Sequence, residues 1–136
     1  MAVTSGRGER VKRPLSPHLQ IYSPLINMVM SIIHRITGGA LYFGSLLLAW
    51  WLIAAAMGPD AYNYFLGVCD TWLGKIVLLG YTWILMHHMM GGLRHFIWDS
   101  GRGYDLETVD ILSWGSLAAS LTLTAIVWLC VAMGVA

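Results

Sequence analysis

Charge is scarce in this sequence. Only 11% of its 136 residues are Asp, Glu, Lys or Arg, whereas 57% are hydrophobic. A soluble domain has about 25% charged residues, so the chain lacks the polar surface that a water-soluble fold requires. Eight basic and seven acidic residues leave a net charge of +1, which provides no basic field for nucleic acid. These shortages argue against a soluble or nucleic-acid-binding protein and indicate an integral membrane protein.

Three long stretches contain neither Lys nor Arg: 36–57, 76–93 and 111–135. A transmembrane helix needs about 20 apolar residues, and nothing in the sequence alternates with a period of two, as barrel strands do. The predicted fold is therefore all-α, with three transmembrane helices at about 29–57, 72–98 and 110–135. Because three helices enclose little interior, we expect a heteromeric bundle in contact with membrane lipid and completed by a partner subunit.

Cysteine is nearly absent as well. Cys69 and Cys130 fit no CxxC or CxxCH motif, which argues against covalent haem attachment and iron–sulfur ligation by this chain. Both cysteines lie toward the same end of the predicted helices. A disulfide bond between them therefore remains an open alternative.

The segment before the first span is rich in proline. Three prolines keep residues 13–24 from forming a single helix: Pro14, Pro17 and Pro24. We predict an N-terminal arm at 1–28 and an anchor domain at 29–136. No cleavable signal or targeting sequence is evident, which favours a bacterial inner (cytoplasmic) membrane over the mitochondrial inner membrane.

Basic residues are concentrated before the first span. Four of them lie in the arm: Arg7, Arg10, Lys12 and Arg13. The connection between the first two spans, residues 58–74, contains none. Because basic residues favour the cytoplasmic or matrix side of a membrane, we predict that the N-terminus lies on that inner side.

Small and polar residues recur at helical spacing in each span, and in membrane helices they mark the side that faces other helices. The first span has Ser31, Arg35, Gly38, Tyr42, Ser45 and Ala49. The second has Gly74, Tyr81, His88 and His95, at steps of seven, and the third has Ser113, Ser116, Ser120 and Thr124. We expect these three stripes to form helix interfaces.

The second span carries a histidine near its middle. If this span ends near Asp99, His88 lies about 15 Å from the boundary, and no other histidine is predicted at that depth. Such an imidazole hydrogen-bonds to a neighbouring helix, relays protons or binds haem iron through a neutral ring nitrogen. Gly91 and Gly92 favour haem because they clear space beside the helix. The second axial ligand would come from another subunit, and His87 is a minor alternative because it lies off the stripe.

A shallower layer of cationic residues is predicted near the inner boundary. His34, Arg35, Arg94 and His95 are expected in this layer. His34, Arg35 and His95 would lie close to the carboxylates of such a haem. Ser31 and Arg35 lie one turn apart on one helix face and suggest a quinone site, where Ser31 donates a hydrogen bond and Arg35 stabilises negative charge. Arg35 also fits a simple contact with lipid phosphates. Asp99 is a candidate for passing protons to a reduced quinone.

Three segments together resemble a known family: RPLSPHLQIY at 13–22, SIIHRITG at 31–38 and HMMGGLRHFIWD at 88–99. The sequence resembles the larger of the two cytochrome b membrane anchors of succinate dehydrogenase, which is respiratory complex II. The resemblance extends over nearly the whole chain.

This resemblance implies a haem b that is shared with a second membrane-anchor subunit and has His88 as an axial ligand. It also implies ubiquinone at Ser31 and Arg35, and haem propionates near His34, Arg35 and His95. The iron–sulfur and flavoprotein subunits would dock on the inner face. The chain would then be a subunit of an enzyme, with no complete active site and no catalytic residues of its own.

Two other functions fit the same residues. A fumarate reductase anchor that works with menaquinol would use the same site, and a redox titration with the native quinone separates it from succinate dehydrogenase. A haem-free structural or assembly subunit would use its histidines only for packing. The presence or absence of a dithionite-reduced b-type absorption band distinguishes that function from the other two.

Overall fold

The computed structural model describes residue 17 and residues 20–134. This part of the chain contains four helices and no strand: α1 (Ile26–Met57), α2 (Pro59–Asp70), α3 (Trp72–Asp99) and α4 (Leu106–Ala132). Most of the predicted N-terminal arm lies outside the described residues. Its last part, residues 21–25, is irregular and exposed.

The three long helices confirm the predicted all-α fold with three spans. They contain 32, 28 and 27 residues, and each has an apolar window long enough to cross a membrane. A helix of that length extends about 40 Å, which exceeds the hydrocarbon thickness of about 30 Å. The first begins at Ile26 rather than 29, and the third begins at Leu106 rather than 110. The chain is a membrane protein.

The short helix α2 lies in the connection 58–74, for which the sequence analysis predicts no helix. Gly58, with a φ of 108°, turns the chain out of α1, and Pro59 occupies the first position of α2, where its missing N–H costs nothing. Phe65 is buried and packs edge-on against Trp50, with ring centroids 4.9 Å apart. Burial of this aromatic side chain holds α2 against α1.

The helix α3 contacts all three other helices. At one end of the bundle, α1 begins, α3 ends and α4 begins. We call this the arginine end, because Arg35, Arg94 and Arg102 lie in the half of the bundle nearest to it. The short helix α2 lies at the opposite end.

A short connection joins α3 to α4 at the arginine end. Trp98 Nε1 donates a hydrogen bond to the carbonyl oxygen of Gly103 at 3.0 Å, and the Tyr104 hydroxyl donates to the carbonyl oxygen of Trp98 at 2.8 Å. Gly103 has a φ of 75°, a conformation that glycine adopts without strain. Asp105 then caps α4 by accepting the Thr108 N–H at 2.8 Å. These contacts fix the indole of Trp98 at the end of α3.

The stripe of α4 is confirmed as a helix interface. All four of its residues are buried: Ser113, Ser116, Ser120 and Thr124. Each hydroxyl donates to a carbonyl oxygen of its own helix, at 2.7–2.9 Å. The hydroxyl oxygens of three of them, Ser113, Ser116 and Ser120, then accept hydrogen bonds from α3.

The stripe of α3 is confirmed at Gly74, Tyr81 and His88, which face α1 and α2, whereas its last member, His95, is exposed. The rings of Tyr81 and His88 lie against Gly44 and Gly38 of α1. In α1, by contrast, most of the predicted stripe is exposed on the surface of this chain; Tyr42, for example, is 76% exposed. Gly38 is the exception, because it lies against His88 of α3.

Both cysteines are free thiols in the structure, so the alternative of a disulfide bond is not realised. Cys69 lies near the end of α2, where burial raises the pKa of its thiol. Cys130 lies near the end of α4.

Candidate functional site

His88 lies at the interface of α1 and α3. A Cβ atom added to Gly38 would be 3.0 Å from Cε1 of His88, so the absence of a side chain at position 38 allows the close approach. The Nδ1 atom of His88 lies 3.2 Å from the carbonyl oxygen of His34 and 3.3 Å from Oγ1 of Thr37. The imidazole is therefore fixed from one side by the backbone and a side chain of α1.

These contacts assign the tautomer of His88. A carbonyl oxygen only accepts, and the hydroxyl hydrogen of Thr37 is already donated to the carbonyl oxygen of His34 at 2.9 Å. We therefore assign the ring hydrogen of His88 to Nδ1. In the neutral ring Nε2 then keeps a lone pair, and a neutral imidazole held through Nδ1–H is the usual form of a metal-ligating histidine.

His34 reaches His88, so the prediction that no other histidine lies at that depth is wrong. The two rings stack with centroids 4.1 Å apart and planes 5° from parallel. The reason is the register of α1. His34 faces Gly91, and counting seven residues along both antiparallel helices puts Asn27 level with Trp98. The first span therefore extends about one turn farther toward the arginine end than predicted.

Gly91 and Gly92 have different surroundings. A Cβ at position 91 would collide with the ring of His34, whereas a Cβ at position 92 would meet nothing within 4 Å. The interpretation that both glycines clear space for a haem is wrong for Gly91, because that space holds an imidazole. It stays a prediction for Gly92.

His87 points to the other side of α3, toward α4. It is 2% exposed, its Nδ1 lies 3.3 Å from Oγ of Ser120, and its ring stacks on Trp83 with centroids 5.3 Å apart. The Ser120 hydroxyl donates to the carbonyl oxygen of Leu117, so its oxygen accepts from His87. This histidine is engaged in packing between α3 and α4.

Ser31 and Arg35, the predicted quinone-binding residues, line one cavity of about 630 Å³ at the arginine end. Asn27 and Trp98 contribute to its walls. Arg35 is exposed, and among the described residues no carboxylate lies within ion-pair distance of it. The cavity thus offers a hydroxyl, an amide and an uncompensated cation to a ligand with polar oxygens.

The predicted propionate-binding residues are only partly brought together. His95 is exposed, and its ring lies 5.3 Å from that of His34 at 47°. Arg35 lies on a different face of α1, in the wall of the cavity. Asp99 is the last residue of α3 and is exposed, but it does not line the cavity.

Three residues of this region were not predicted from the sequence. Thr37 is 2% exposed and contacts His88, Asn27 has a buried Oδ1 without a hydrogen-bond partner among the described residues, and Trp98 forms a wall of the cavity. A signal for Thr37 was available, because it is a polar residue between His34 and Gly38 in a transmembrane helix. The position of Asn27 follows only from the register of α1, which the sequence did not reveal.

A model of the succinate dehydrogenase/fumarate reductase transmembrane subunit family matches residues 9–127. This chain belongs to that family. The matched segment includes α1, α2 and α3 entirely and most of α4. The family assignment agrees with the resemblance noted in the three sequence segments.

Relatives in the family are similar over most of the chain. The succinate dehydrogenase cytochrome b556 subunit of Paracoccus denitrificans is 42% identical over 117 residues, which are 86% of this chain and 90% of that protein. The corresponding subunit of Rickettsia prowazekii is 38% identical over 86% of this chain and 91% of that protein. The mitochondrial cytochrome b560 subunit of Mus musculus is 34% identical over 79% of this chain and 70% of that protein. These relatives are subunits of an enzyme complex in bacteria and mitochondria.

Proposed function

We propose that this chain is the haem b-binding membrane anchor of a succinate dehydrogenase and forms part of its ubiquinone-reduction site. The observation that carries the proposal is the state of His88: its Nδ1–H is held by the His34 carbonyl oxygen, which leaves Nε2 as a ligand nitrogen. The names of the relatives, which are cytochrome b subunits, point to the same cofactor.

The residues around His88 fit a histidine that would hold haem iron. The orientation of its ring is fixed by Thr37 and His34, which is the role of outer-shell partners in metal sites. His34 does not fit as the second ligand, because its ring lies flat on that of His88 at 4.1 Å and leaves no room for iron between them. The second ligand would therefore come from the second anchor subunit. When bound, haem b supplies a one-electron redox centre.

The cavity lined by Ser31 and Arg35 is the proposed quinone site. The Ser31 hydroxyl can donate a hydrogen bond to a quinone carbonyl oxygen, and the guanidinium of Arg35 stabilises negative charge that develops there. Asn27 adds a buried amide to the same wall. The exposed Asp99 stays a candidate for proton delivery from the aqueous side.

The proposed partners are inferred from the surfaces that this chain leaves exposed. The exposed stripe of α1 is suited to the second membrane anchor, because small and polar residues pack poorly against lipid. The iron–sulfur and flavoprotein subunits would bind at the arginine end, beside the quinone cavity. We place this end on the cytoplasmic side of a bacterial inner membrane, in agreement with the basic residues of the arm.

The test is to purify the complex that contains this chain and to record its dithionite-reduced minus oxidised spectrum. We expect a b-type band, together with succinate-dependent reduction of ubiquinone. A complex that reduces ubiquinone but lacks the band would contradict the haem role and leave a packing role for the histidines. A band without succinate-dependent ubiquinone reduction, but with menaquinol-dependent fumarate reduction, would favour the fumarate reductase alternative.

A further inference from the structure

Arg94 is a buried cation on the face of α3 that packs against α4. Only 4% of its surface is exposed. Six helical positions separate it from His88, which places it about 120° around the helix, on the same side as His87. It therefore lies away from the face that carries His88, and it does not line the cavity of Ser31 and Arg35.

The polar partners of Arg94 do not balance its charge. Its Nη1 donates to Oγ of Ser116 at 3.4 Å and to Oγ of Ser113 at 3.5 Å, both longer than the usual distance of about 3 Å. Its Nε has no hydrogen-bond partner, and no carboxylate forms an ion pair with it among the described residues. The guanidinium also lies over the ring of Trp98, 5.1 Å from the centroid. A cation in a membrane is costly unless it is paired, so this arrangement is suited to binding an anion.

Arg94 lines a groove of about 270 Å³ between α3 and α4. Apart from Arg94 and Ser116, the groove is walled by apolar residues. Its rims are exposed: Leu93 is 49%, Ile97 39% and Ile111 62% accessible. An apolar groove that is open at its rims and has a cation in its wall is complementary to an acyl chain attached to an anionic group.

The depth of the groove in the membrane indicates which kind of anion it would bind. Arg94 lies one turn from Trp98, at the arginine end of α3, and tryptophan prefers the boundary between hydrocarbon and headgroups. Phosphodiester groups of membrane lipids lie at this boundary, and a guanidinium binds phosphate oxygens through two parallel N–H groups.

We propose that the groove between α3 and α4 binds one membrane phospholipid, with its phosphodiester on Arg94 and an acyl chain along Leu93 and Ile111. This site is separate from the proposed haem and quinone sites. Its occupant neutralises Arg94 and seals the arginine end of the α3–α4 interface.

Two substitutions test the proposal in different ways. Arg94→Gln removes the charge. Gly115→Leu fills the groove and leaves Arg94 in place, since Gly115 lines the groove and a Cβ there meets nothing within 4 Å. Gly80→Leu is the matched control, because a Cβ at Gly80 also meets nothing within 4 Å and Gly80 is not part of the groove.

The experiment is native mass spectrometry of the intact complex, titrated with dioleoyl phosphatidylglycerol, with dioleoylglycerol and with inorganic phosphate. We expect one retained phosphatidylglycerol per copy of this chain. Arg94→Gln should weaken its binding by about tenfold to a hundredfold, the range for loss of a hydrogen bond to a charged group. Gly115→Leu should weaken it because the new side chain occupies the groove, and Gly80→Leu should leave it unchanged.

Several results would overturn the proposal. Equal retention of dioleoylglycerol would show that the phosphate is not recognised, and equally tight inorganic phosphate would show that the groove is not a lipid site. Unchanged binding in Gly115→Leu would do the same, and this variant decides the matter if Arg94→Gln does not assemble. Unchanged phosphatidylglycerol binding in an assembled Arg94→Gln complex would mean that Arg94 has another counter-charge.

Discussion

The two faces of α3 place adjacent histidines in opposite environments. On the face toward α4, His87 is 2% exposed and its Nδ1 is bonded to Ser120. On the face toward α1, His88 is only half-buried, and its Nδ1 is bonded to a backbone carbonyl oxygen. The α4 face is a closed interface in which serine oxygens accept from α3. The α1 face holds its histidine in one orientation and leaves a ring nitrogen available.

This difference shows how one helix separates packing from chemistry. The Nδ1–H of His87 bonds to a buried hydroxyl and so helps to hold two helices together. The Nδ1–H of His88 bonds to a carbonyl oxygen, which orients the ring beside Gly38 and leaves the opposite ring nitrogen free. The comparison predicts that substitutions on the two faces will have different consequences.

The largest difference should appear when His88 and His87 are each replaced by leucine in separate variants. His88→Leu removes the proposed ligand nitrogen, so we expect the b-type band of the purified complex to be lost. His87→Leu removes only a contact to Ser120, so the band should be retained, with lower thermal stability. The measurement is the reduced-minus-oxidised spectrum at equal subunit content. Equal loss in both variants would remove the distinction between the faces.

The next effect concerns the exposed side of α1. Arg35→Met and Ser31→Ala should each lower succinate-dependent ubiquinone reduction by about a hundredfold to a thousandfold, the range for loss of a contact to developing charge. Succinate oxidation with an artificial acceptor should persist, because it does not need this cavity. Ser45→Ala is the control, since Ser45 is exposed on the same stripe but does not line the cavity. If both activities fell together, the residues would serve assembly instead.

The glycine pair at positions 91 and 92 gives a smaller effect with opposite signs. Gly91→Ala forces a methyl group against the ring of His34, and overpacking of this kind costs about 1–3 kcal/mol. In the haem-free complex, Gly92→Ala meets open space and should stabilise α3 by about 0.5–1 kcal/mol, because alanine favours the helix. Thermal unfolding of the haem-free complex measures both. A stable Gly91→Ala variant would mean that the stacked histidines are free to separate.

Substitution of Thr37 should change the midpoint potential of the haem rather than cause loss of the haem. Thr37→Val keeps the shape of the side chain but removes the oxygen that lies 3.3 Å from Nδ1 of His88. We expect a shifted haem midpoint potential with haem retained, since outer-shell bonds tune the basicity of the ligand. Thr37→Ser restores the oxygen and should restore the potential. An unchanged potential in Thr37→Val would show that the carbonyl oxygen of His34 alone fixes the ring.

Much of this architecture is encoded in periodic patterns that the sequence shows directly. The spans follow from long uncharged windows, and the buried face of α4 follows from Ser113, Ser116, Ser120 and Thr124 at helical spacing. The helix α2 left a similar signal, because its apolar residues recur at 62, 65, 66 and 69. Gly58 and Pro59 at its start are typical of a turn, but proline is also favoured at the first position of a helix.

The relative depth of residues on different helices could not be predicted in the same way. It depends on the axial register of α1 against α3, which is set by close contacts such as Gly38 against His88 and Gly91 against His34. A single sequence gives the position of each residue along its own helix, but not the offset between two helices. The stacking of His34 on His88 follows from that offset.

The smallest effect concerns how α4 is held at the arginine end. Hydrogen bonds from the side chain and N–H of Thr108 hold the pKa of Asp105 below its ordinary value. Since the carboxylate is the form that is stabilised, the cap is complete above about pH 4 and is lost as the pH falls through the lowered pKa. The amide of Thr108 should therefore lose protection from hydrogen exchange in acid, relative to an Asp105→Asn variant, which accepts the same bond without titrating.

The first turn of α1 has no side-chain cap and should not respond, so acid would loosen the α4 face of the bundle and spare the α1 face. A pH-dependent loss of equal size in the Asn variant would mean that the first turn of α4 is governed by another group.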